Sequence, residues 1–324
     1  MLDNPRLSYL NDAQPQTDRA FVVYWMQQSQ REHYNHALQY AIRQANDIGK
    51  PLVVYFGLTE CYPSAGERHY RFMLEGLAKT QARLADRDIR MIIRRTDPAE
   101  GAAELAKDAC FCVVDRGYLR HHIQWRRRAA ESMDCPLHQV ESDIVVPVQQ
   151  ASTKEEYAAR TIRPKINRQV DDFLTRMQRS KVSRSSMDLK LDSFDISNVE
   201  EALQQLQIDR SVGPSPCFSG GNDQAEKHLR KFVDSKLNDY PSQSNDPSVD
   251  GLSNMSPYLH FGQISPIRIA LAVRDKGGAG VEDYLEELIV RRELAINFVT
   301  YSRDYTSLKG LPDWAQRTLD KHRD

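Results

Sequence analysis

Two serine–proline pairs in the last quarter of the chain are the residues best placed to do chemistry. Ser256–Pro257 and Ser265–Pro266 each join a hydroxyl that can cap a helix to a proline suited to its first turn, so they predict two closely spaced helix starts. Such starts leave backbone N–H groups unpaired at the positive end of the helix dipole. Together with the hydroxyls of Ser253 and Ser256, they are expected to hold a pyrophosphate, unless the pairs simply begin two helices.

A carboxylate and a guanidinium follow on a predicted helix that begins near Val281. Apolar residues at helical spacing predict its core-facing side, namely Leu285, Leu288, Ile289, Ile296 and Val299. Tyr284, Glu287 and Arg291 lie on a neighbouring face, and the spacing of the last two predicts an ion pair. That pair is either an exposed contact worth less than about 1 kcal/mol or a polar group turned toward a ligand.

The first half of the chain contains the elements of a parallel α/β domain. Apolar runs predict five strands, at 21–26, 51–57, 89–93, 111–115 and, more weakly, 144–146. The segments between them predict helices at about 32–48, 68–86, 99–107 and 118–132, each long enough to cross over the sheet. We therefore expect a Rossmann-like parallel five-stranded sheet whose ligand-facing loops lie at the carboxyl ends of the strands.

Composition changes after this domain. Residues 178–200 are rich in serine and charge and have no regular apolar period, which predicts a linker. Amphipathic helices are expected beyond it. The predicted organisation is an N-terminal extension at 1–18, an α/β domain at 19–150, a connector at 151–200 and an all-α domain at 201–324.

Charge and cysteine content exclude several functional classes. A net charge of −1 over 324 residues argues against indiscriminate nucleic-acid binding. The five cysteines have no zinc-ligand spacing, so we predict no metal site and reduced thiols. Without a signal-peptide core or a membrane-length apolar run, the chain is expected to be cytoplasmic, with no membrane partner.

Two basic stretches are predicted to play modest roles. The residues at 116–128 would point in several directions on a helix, so a solvated face is expected there. Arg160, Arg163, Lys165 and Arg168 lie around Pro164, and they favour an interdomain brace over a phosphate contact.

Four segments resemble the DNA photolyase and cryptochrome family. Leu252–Ser265 is similar to its flavin-phosphate segment, and Glu286–Leu294 to the helix that follows that segment. Glu156-Tyr-Ala-Ala-Arg-Thr-Ile-Arg-Pro-Lys-Ile166 is close to the spelling of class II cyclobutane pyrimidine dimer photolyases. The loop from Trp25 to Leu38 resembles their opening motif, except that Gln28 and Tyr34 replace the usual Arg and Asp.

The resemblance implies a light-driven lyase that uses reduced FAD to split pyrimidine dimers in DNA. Glu287 corresponds to the carboxylate that meets the flipped-out dimer, which makes it the expected catalytic residue. The residues implied to bind FAD are Tyr240, Leu252, Ser253, Asn254, Met255, Ser256, Tyr284 and Arg291. An antenna chromophore, a deazaflavin or a folate, is implied in the α/β domain without assigned residues, and the protein is expected to be a monomer.

Family members continue well beyond the point where this chain stops, so the resemblance implies an incomplete FAD-binding domain. Ser244 also stands where class II members carry an Arg that contacts DNA phosphate. A truncated and inactive photolyase is therefore one alternative to an active enzyme, and two further alternatives stay open. One is a cryptochrome-like light-sensing or chromophore-binding module without catalysis, and the other is a nucleotide-binding protein of the electron-transfer-flavoprotein type.

Overall fold

The structure, a computed structural model, describes residues 4–323. Its first half is built on one sheet of six strands, ordered β1-β6-β5-β2-β3-β4. These are β1 (Leu7–Tyr9), β2 (Phe21–Trp25), β3 (Leu52–Leu58), β4 (Arg90–Arg95), β5 (Ala109–Asp115) and β6 (Leu137–Val140). All neighbours are parallel except β1, which runs antiparallel to β6, so the expected α/β fold is confirmed with a mixed rather than purely parallel sheet.

Two details of the predicted sheet are wrong. The sheet has six strands instead of five, because β1 lies within the predicted N-terminal extension and pairs with β6. The weak strand expected at 144–146 does not form, and β6 lies earlier, at Leu137–Val140. The N–H groups of Val145 and Val146 instead donate to the buried carboxylate of Glu293, at 2.7 and 3.3 Å, so they are not free to join a strand ladder.

Helices cover both faces of the sheet. Val22 and Tyr24 of β2 pack with the helices α1 and α2, whereas Phe21, Val23 and Trp25 pack with α3 and α4 on the opposite face. This alternation follows from the two-residue side-chain period of a strand that is buried on both faces. The four helices are α1 (His36–Ile48), α2 (Glu67–Ala85), α3 (Pro98–Ala106) and α4 (Arg120–Ser132).

The rest of the described chain is helical. The helix at 199–204 packs with the sheet core and the helix at 313–321 has no buried residue, whereas a second apolar core, which includes Leu229, Phe232, Tyr258 and Ile267, joins most helices of this part. The helices of this part are α5 (Val148–Ala151), α6 (Ala159–Asn167), α7 (Val170–Phe173), α8 (Val199–Gln204), α9 (Asn222–Ser235), α10 (Tyr240–Gln243), α11 (Ser256–His260), α12 (Pro266–Lys276), α13 (Val281–Leu285), α14 (Arg292–Tyr301) and α15 (Asp313–Lys321). Short 3₁₀ turns lie at Leu237–Asp239 and Leu308–Gly310, and a π-helical turn at Glu286–Arg291 joins α13 to α14.

The predicted linker packs against the sheet. The N–H of Ser186 donates to the Asp88 carbonyl at 3.0 Å, and that of Phe194 donates to the Ile93 carbonyl at 2.7 Å. The hydroxyl of Ser193 accepts from the Ile93 N–H at 3.0 Å. This stretch therefore covers the outer edge of β4, which would otherwise present unpaired backbone groups. The domain boundaries around it stay a prediction.

Candidate functional site

One large cavity lies where the carboxyl ends of the strands face the helical part of the chain. Its volume is about 780 Å³, within the range of small-molecule sites. The loops after β2 and β3 and the start of α4 line one half, and we call this the sheet half. The segment 253–261 and the helix 284–299 line the other, which we call the helix half.

The two predicted helix starts do not act as a pair. Ser265 caps α12 as expected, accepting from the Ile267 N–H at 3.2 Å, but it is 1 % exposed and does not line the cavity. Ser256 is the first residue of α11 rather than its cap, and that helix has only five residues. The prediction of two dipoles holding one pyrophosphate is therefore wrong, because the second start is buried in the helical core.

Part of Leu252–Ser265, the segment that resembles the family's flavin-phosphate segment, lines the cavity. Ser253, Met255 and Ser256 line the helix half, whereas Leu252 and Asn254 do not. Leu252 is half exposed, and its carbonyl accepts from Lys236 Nζ at 3.2 Å. Asn254 has a left-handed backbone, with φ of 59°, and this reversal directs the residues on either side of it toward the same cavity.

Two tyrosines form an aromatic wall of the helix half. The rings of Tyr240 and Tyr284 meet edge to face with centroids 5.2 Å apart, and Phe232 packs against Tyr284 at 4.6 Å. Burial raises the pKa of both phenols above the ordinary value, so both are neutral near pH 7. This wall can pack against a flat ring system while keeping its hydroxyls protonated.

The helix that carries Glu287 is interrupted by a π-helical turn. Residues Glu286–Arg291 form this wider turn, a feature that is frequent at functional sites. Glu287 lines the cavity, whereas the Arg291 Nε atom lies 3.7 Å from its carboxylate and Arg291 itself does not reach the cavity. Arg292 lines the cavity instead. Ile296 and Val299, expected to face the core, also line it.

The sheet half contains five buried polar side-chain atoms that have no hydrogen-bond partner within the described residues: Trp25 Nε1, Gln27 Nε2, Gln30 Oε1, Tyr118 Oη and His122 Nδ1. Buried polar groups are normally paired, so these atoms are free of protein partners and can hydrogen-bond a polar ligand or water in the cavity. Tyr62 and Trp125 add aromatic surface beside them.

Two residues of the basic stretch at 116–128 depart from the predicted solvated face, to which the exposed Arg120, Arg127 and Arg128 do belong. His122 is 6 % and Arg126 is 4 % exposed. Burial lowers the pKa of His122 to about 3 and that of Arg126 to about 10. Arg126 remains a cation near neutral pH and donates to the Gly117 carbonyl at 2.7 Å, so the sheet half has a neutral imidazole and a buried positive charge behind it.

A buried ionic network joins the two halves. Arg31, from the loop after β2, donates to Asp143 at 3.1 Å and to the Gly262 carbonyl at 2.8 Å. Gly262 has a φ of 63°, and a Cβ there would lie 1.8 Å from the Gln28 carbonyl, so the two backbones approach too closely for another residue. The interdomain brace expected from the cluster around Pro164 is thus supplied mainly by Arg31 and Asp143.

Comparisons with known proteins give the family. A model described as DNA photolyase matches residues 22–182. The deoxyribodipyrimidine photo-lyase of Methanothermobacter thermautotrophicus is 44% identical over 325 residues, which cover 99% of this chain and 71% of that relative. The chain belongs to the DNA photolyase family. The photo-lyase of Potorous tridactylus is 35% identical over 96% of this chain, which spans 59% of that relative.

Solved structures show the same fold at low identity. A cryptochrome from Synechocystis sp. PCC6803 matches with a TM-score of 0.69 at 16% identity, covering 87% of this chain and 61% of the other. A bacterial class III photolyase from Agrobacterium tumefaciens matches with a TM-score of 0.66 at 17% identity, covering 87% and 59%. This chain therefore spans about three fifths of these structures. Its membership of the photolyase family excludes the electron-transfer-flavoprotein alternative.

Two negative findings concern the part of the chain that the structure describes. Among residues 4–323, no helix has both the length and the apolar character that crossing a membrane requires. Over the same residues, no three His, Cys, Asp or Glu side chains come close enough together to hold a metal ion.

Proposed function

We propose that this chain is a deoxyribodipyrimidine photo-lyase, which repairs cyclobutane pyrimidine dimers in DNA with light absorbed by reduced FAD. The observation that carries the proposal is the helix half of the cavity, where Glu287, the tyrosine wall and the Ser253–Ser256 segment face one space. Membership of a family whose relatives are named photo-lyases supports the same reaction. Because the chain spans only part of several relatives, the activity belongs to the proposal.

The residues of the helix half fit FAD in part. Tyr240 and Tyr284 would pack against the flavin, while the hydroxyls of Ser253 and Ser256 and the guanidinium of Arg292 are donors suited to its phosphates. Arg292 replaces Arg291 in this assignment, because only Arg292 lines the cavity. Leu252 and Asn254 would act by shaping the segment. Bound FAD would supply the absorption of light and the donated electron.

Glu287 is proposed to contact the lesion itself. Its side chain lines the cavity and is about half exposed, 54% by relative area. A carboxyl group there can share a proton with a dimer carbonyl and so stabilise negative charge that develops on the dimer. Extrusion of the dimer from the duplex costs least for a lesion that already stacks and pairs badly.

The finer identity of the site is also proposed. The spelling of Glu156–Ile166 and of the Trp25–Leu38 loop supports class II, with dimer-containing DNA as the partner. The sheet half is proposed to hold an antenna chromophore, and the orphaned atoms of Trp25, Gln30 and Tyr118 would bind its polar edge. A buried cation, Arg126, favours a chromophore with anionic character, such as a deazaflavin.

The test is an absorption spectrum followed by a repair assay. The purified chain, loaded with FAD and chemically reduced, is mixed with an oligonucleotide that contains one thymine dimer, and dimer loss is measured in blue light and in darkness. Light-dependent loss whose quantum yield falls by up to about tenfold in Glu287→Gln supports the proposal. Flavin bands with no repair under any light dose contradict it.

A second candidate, a chromophore-binding module without catalysis, is favoured by the orphaned atoms in the sheet half. That function requires no FAD in the helix half. It predicts tight binding of a deazaflavin or a folate by a chain that has no flavin and no repair activity. Loss of chromophore binding on addition of FAD would count against it.

A further inference from the structure

A bidentate ion pair lies directly behind Glu287. Arg163, on α6, donates from Nε and Nη2 to the two carboxylate oxygens of Glu286, at 2.9 and 2.6 Å. Paired N–H donors of this kind hold a carboxylate in one orientation. Glu286 is the residue before Glu287 and the first residue of the π-helical turn.

Arg291, at the other end of the turn, is shared between two carboxylates. Its Nε lies 3.5 Å from Glu286 Oε1 and 3.7 Å from Glu287 Oε1. Both distances are long for hydrogen bonds, so Arg291 is committed to neither acid. The two arginines and two glutamates together are electrically balanced.

We propose that Arg163 is a positioning residue for Glu287, because it satisfies Glu286 and thereby leaves Arg291 between the two acids. Without Arg163, Glu286 would be an unpaired carboxylate one residue from Glu287. It would take Arg291 as its own hydrogen-bond partner, and Glu287 would then face the cavity without a positive partner of its own. The role of Glu287 at the lesion rests on the proposed function, but the sharing of Arg291 does not.

The other charged and polar groups described near the turn do not pair with Glu286 as Arg163 does. From α10, the Tyr240 hydroxyl faces Glu287 and is neutral. Asp283, on α13, is a further acid near Tyr240, and it adds to the negative charge that a cation must balance. Of the cations near the turn, only Arg163 contacts Glu286 with paired hydrogen bonds in the described structure.

A double-mutant cycle read by NMR tests the proposal without flavin or DNA. The Arg291 Nε–H signal, assigned with Arg291→Lys, is recorded in the parent, Arg163→Gln, Glu286→Gln and the double variant. We expect Arg163→Gln to move the signal downfield and slow its exchange, as a direct bond to Glu286 forms. Adding Glu286→Gln removes that acceptor and should reverse both changes. Arg163→Lys, which keeps the charge but not the paired bonds, should give an intermediate shift.

The same variants are also compared by their affinity for dimer-containing DNA, measured in darkness. We expect Arg163→Gln to weaken it by roughly threefold to fivefold, and Glu286→Gln in the same chain to restore it. Arg160→Gln is the matched control, since Arg160 lies on the same helix and contacts only the Tyr157 hydroxyl among the side chains described.

Two results would overturn the inference. An Arg291 signal that is unchanged in Arg163→Gln means that Arg291 was never shared. A change that persists after Glu286→Gln means that Arg163 acts through general packing. If the Arg291 signal changes as expected in all the variants but the parent chain binds no dimer-containing DNA, the effect of Arg163 on Arg291 is supported and the proposed function fails.

Discussion

Arg292 donates to the Asp143 carboxylate over 2.6 Å, and this bond ties the cavity wall to the loop that follows β6. The other oxygen of the same carboxylate accepts from Arg31, and both the acid and Arg31 are buried. Arg31 also reaches the carbonyl of Gly262. One acid therefore fixes the relative positions of three segments that line or support the site.

Asp143→Asn should be strongly destabilising. The substitution keeps the shape of the side chain but leaves Arg31 and Arg292 without their shared negative partner. Breaking a buried ion pair in this way costs about 3–5 kcal/mol of the free energy of unfolding. Urea denaturation followed by circular dichroism measures it. The control is Asp171→Asn, which breaks the exposed pair with Arg274 and should cost less than about 1 kcal/mol. Equal losses in the two variants would contradict the arrangement.

Glu293 should make stability fall as pH rises. Burial raises the pKa of Glu293 to about 8 in the folded protein, against the positive neighbours Arg292 and Arg6, from an ordinary value of 4.5. Between these values the folded state holds the proton and the unfolded state does not, so the stability present below pH 4.5 is lost as pH rises toward 8.

The measurement is the unfolding free energy of the parent chain and of Glu293→Gln across that window. The parent should lose stability relative to the variant, with a slope of at most about 1.4 kcal/mol per pH unit. The N–H groups of Val145 and Val146 donate to the same oxygen of Glu293, so the amide oxygen of glutamine can still accept both bonds. Parallel pH profiles for the two proteins would show that the acid does not titrate in this range.

Tyr118→Phe tests the chromophore site. Its hydroxyl is buried without a partner in the described residues, and Tyr118 lines the sheet half, so removal of the hydroxyl should leave the unfolding free energy within about 0.5 kcal/mol of the parent. Binding of a deazaflavin or a folate that uses this hydroxyl should weaken about tenfold, as measured by fluorescence titration.

Tyr258→Phe is the matched comparison and should behave in the opposite way. The Tyr258 hydroxyl donates to the Ser219 carbonyl at 3.1 Å and does not line the cavity. Its loss should cost about 1 kcal/mol of stability and leave chromophore binding unchanged. If both variants bind the chromophore like the parent, the orphaned hydroxyl of Tyr118 is not part of the site.

Glu287→Gln should lower the quantum yield of dimer repair by up to about tenfold, because the amide cannot share a proton with the dimer as a carboxyl group does. The flavin absorption spectrum should be unaltered. Glu282→Gln, an exposed acid on the preceding helix that does not line the cavity, should repair like the parent. Repair by Glu287→Gln at the parent quantum yield would remove this residue from the mechanism.

The central strands could be predicted because their cause is local. β2, β3 and β5 are short apolar runs that each contain Phe and two Val residues, so their burial on both faces can be inferred from a few neighbouring residues. β1 could not be predicted in this way. It has only three residues, and the chain before it is held by Arg6, whose guanidinium reaches the carbonyls of Ile144 and Val145 far along the sequence.

Site residues that belong to a sequence motif were predicted well, whereas those whose positions depend on tertiary packing were predicted poorly. The positions of Tyr240, Tyr284 and Glu287 at one cavity agree with the expectation from the motifs, although their roles stay predictions. The π-helical turn was not predicted, because the spacing of Glu287 and Arg291 is also that of an ion pair on an ordinary α-helix. His122 and Arg126 were missed because a basic stretch suggests solvent, and only the structure shows that they lie with Ala129 on the buried face of α4.

The segment 186–194, which lies along β4, also prevents two copies of the protein from pairing edge to edge. The backbone groups of this outermost strand are engaged by Ser186, Ser193 and Phe194. A protease cut within 186–194 would free that edge, and a bare edge strand recruits another bare edge. Nicked preparations would therefore form dimers and larger aggregates while the cavity, on another side of the sheet, is still intact.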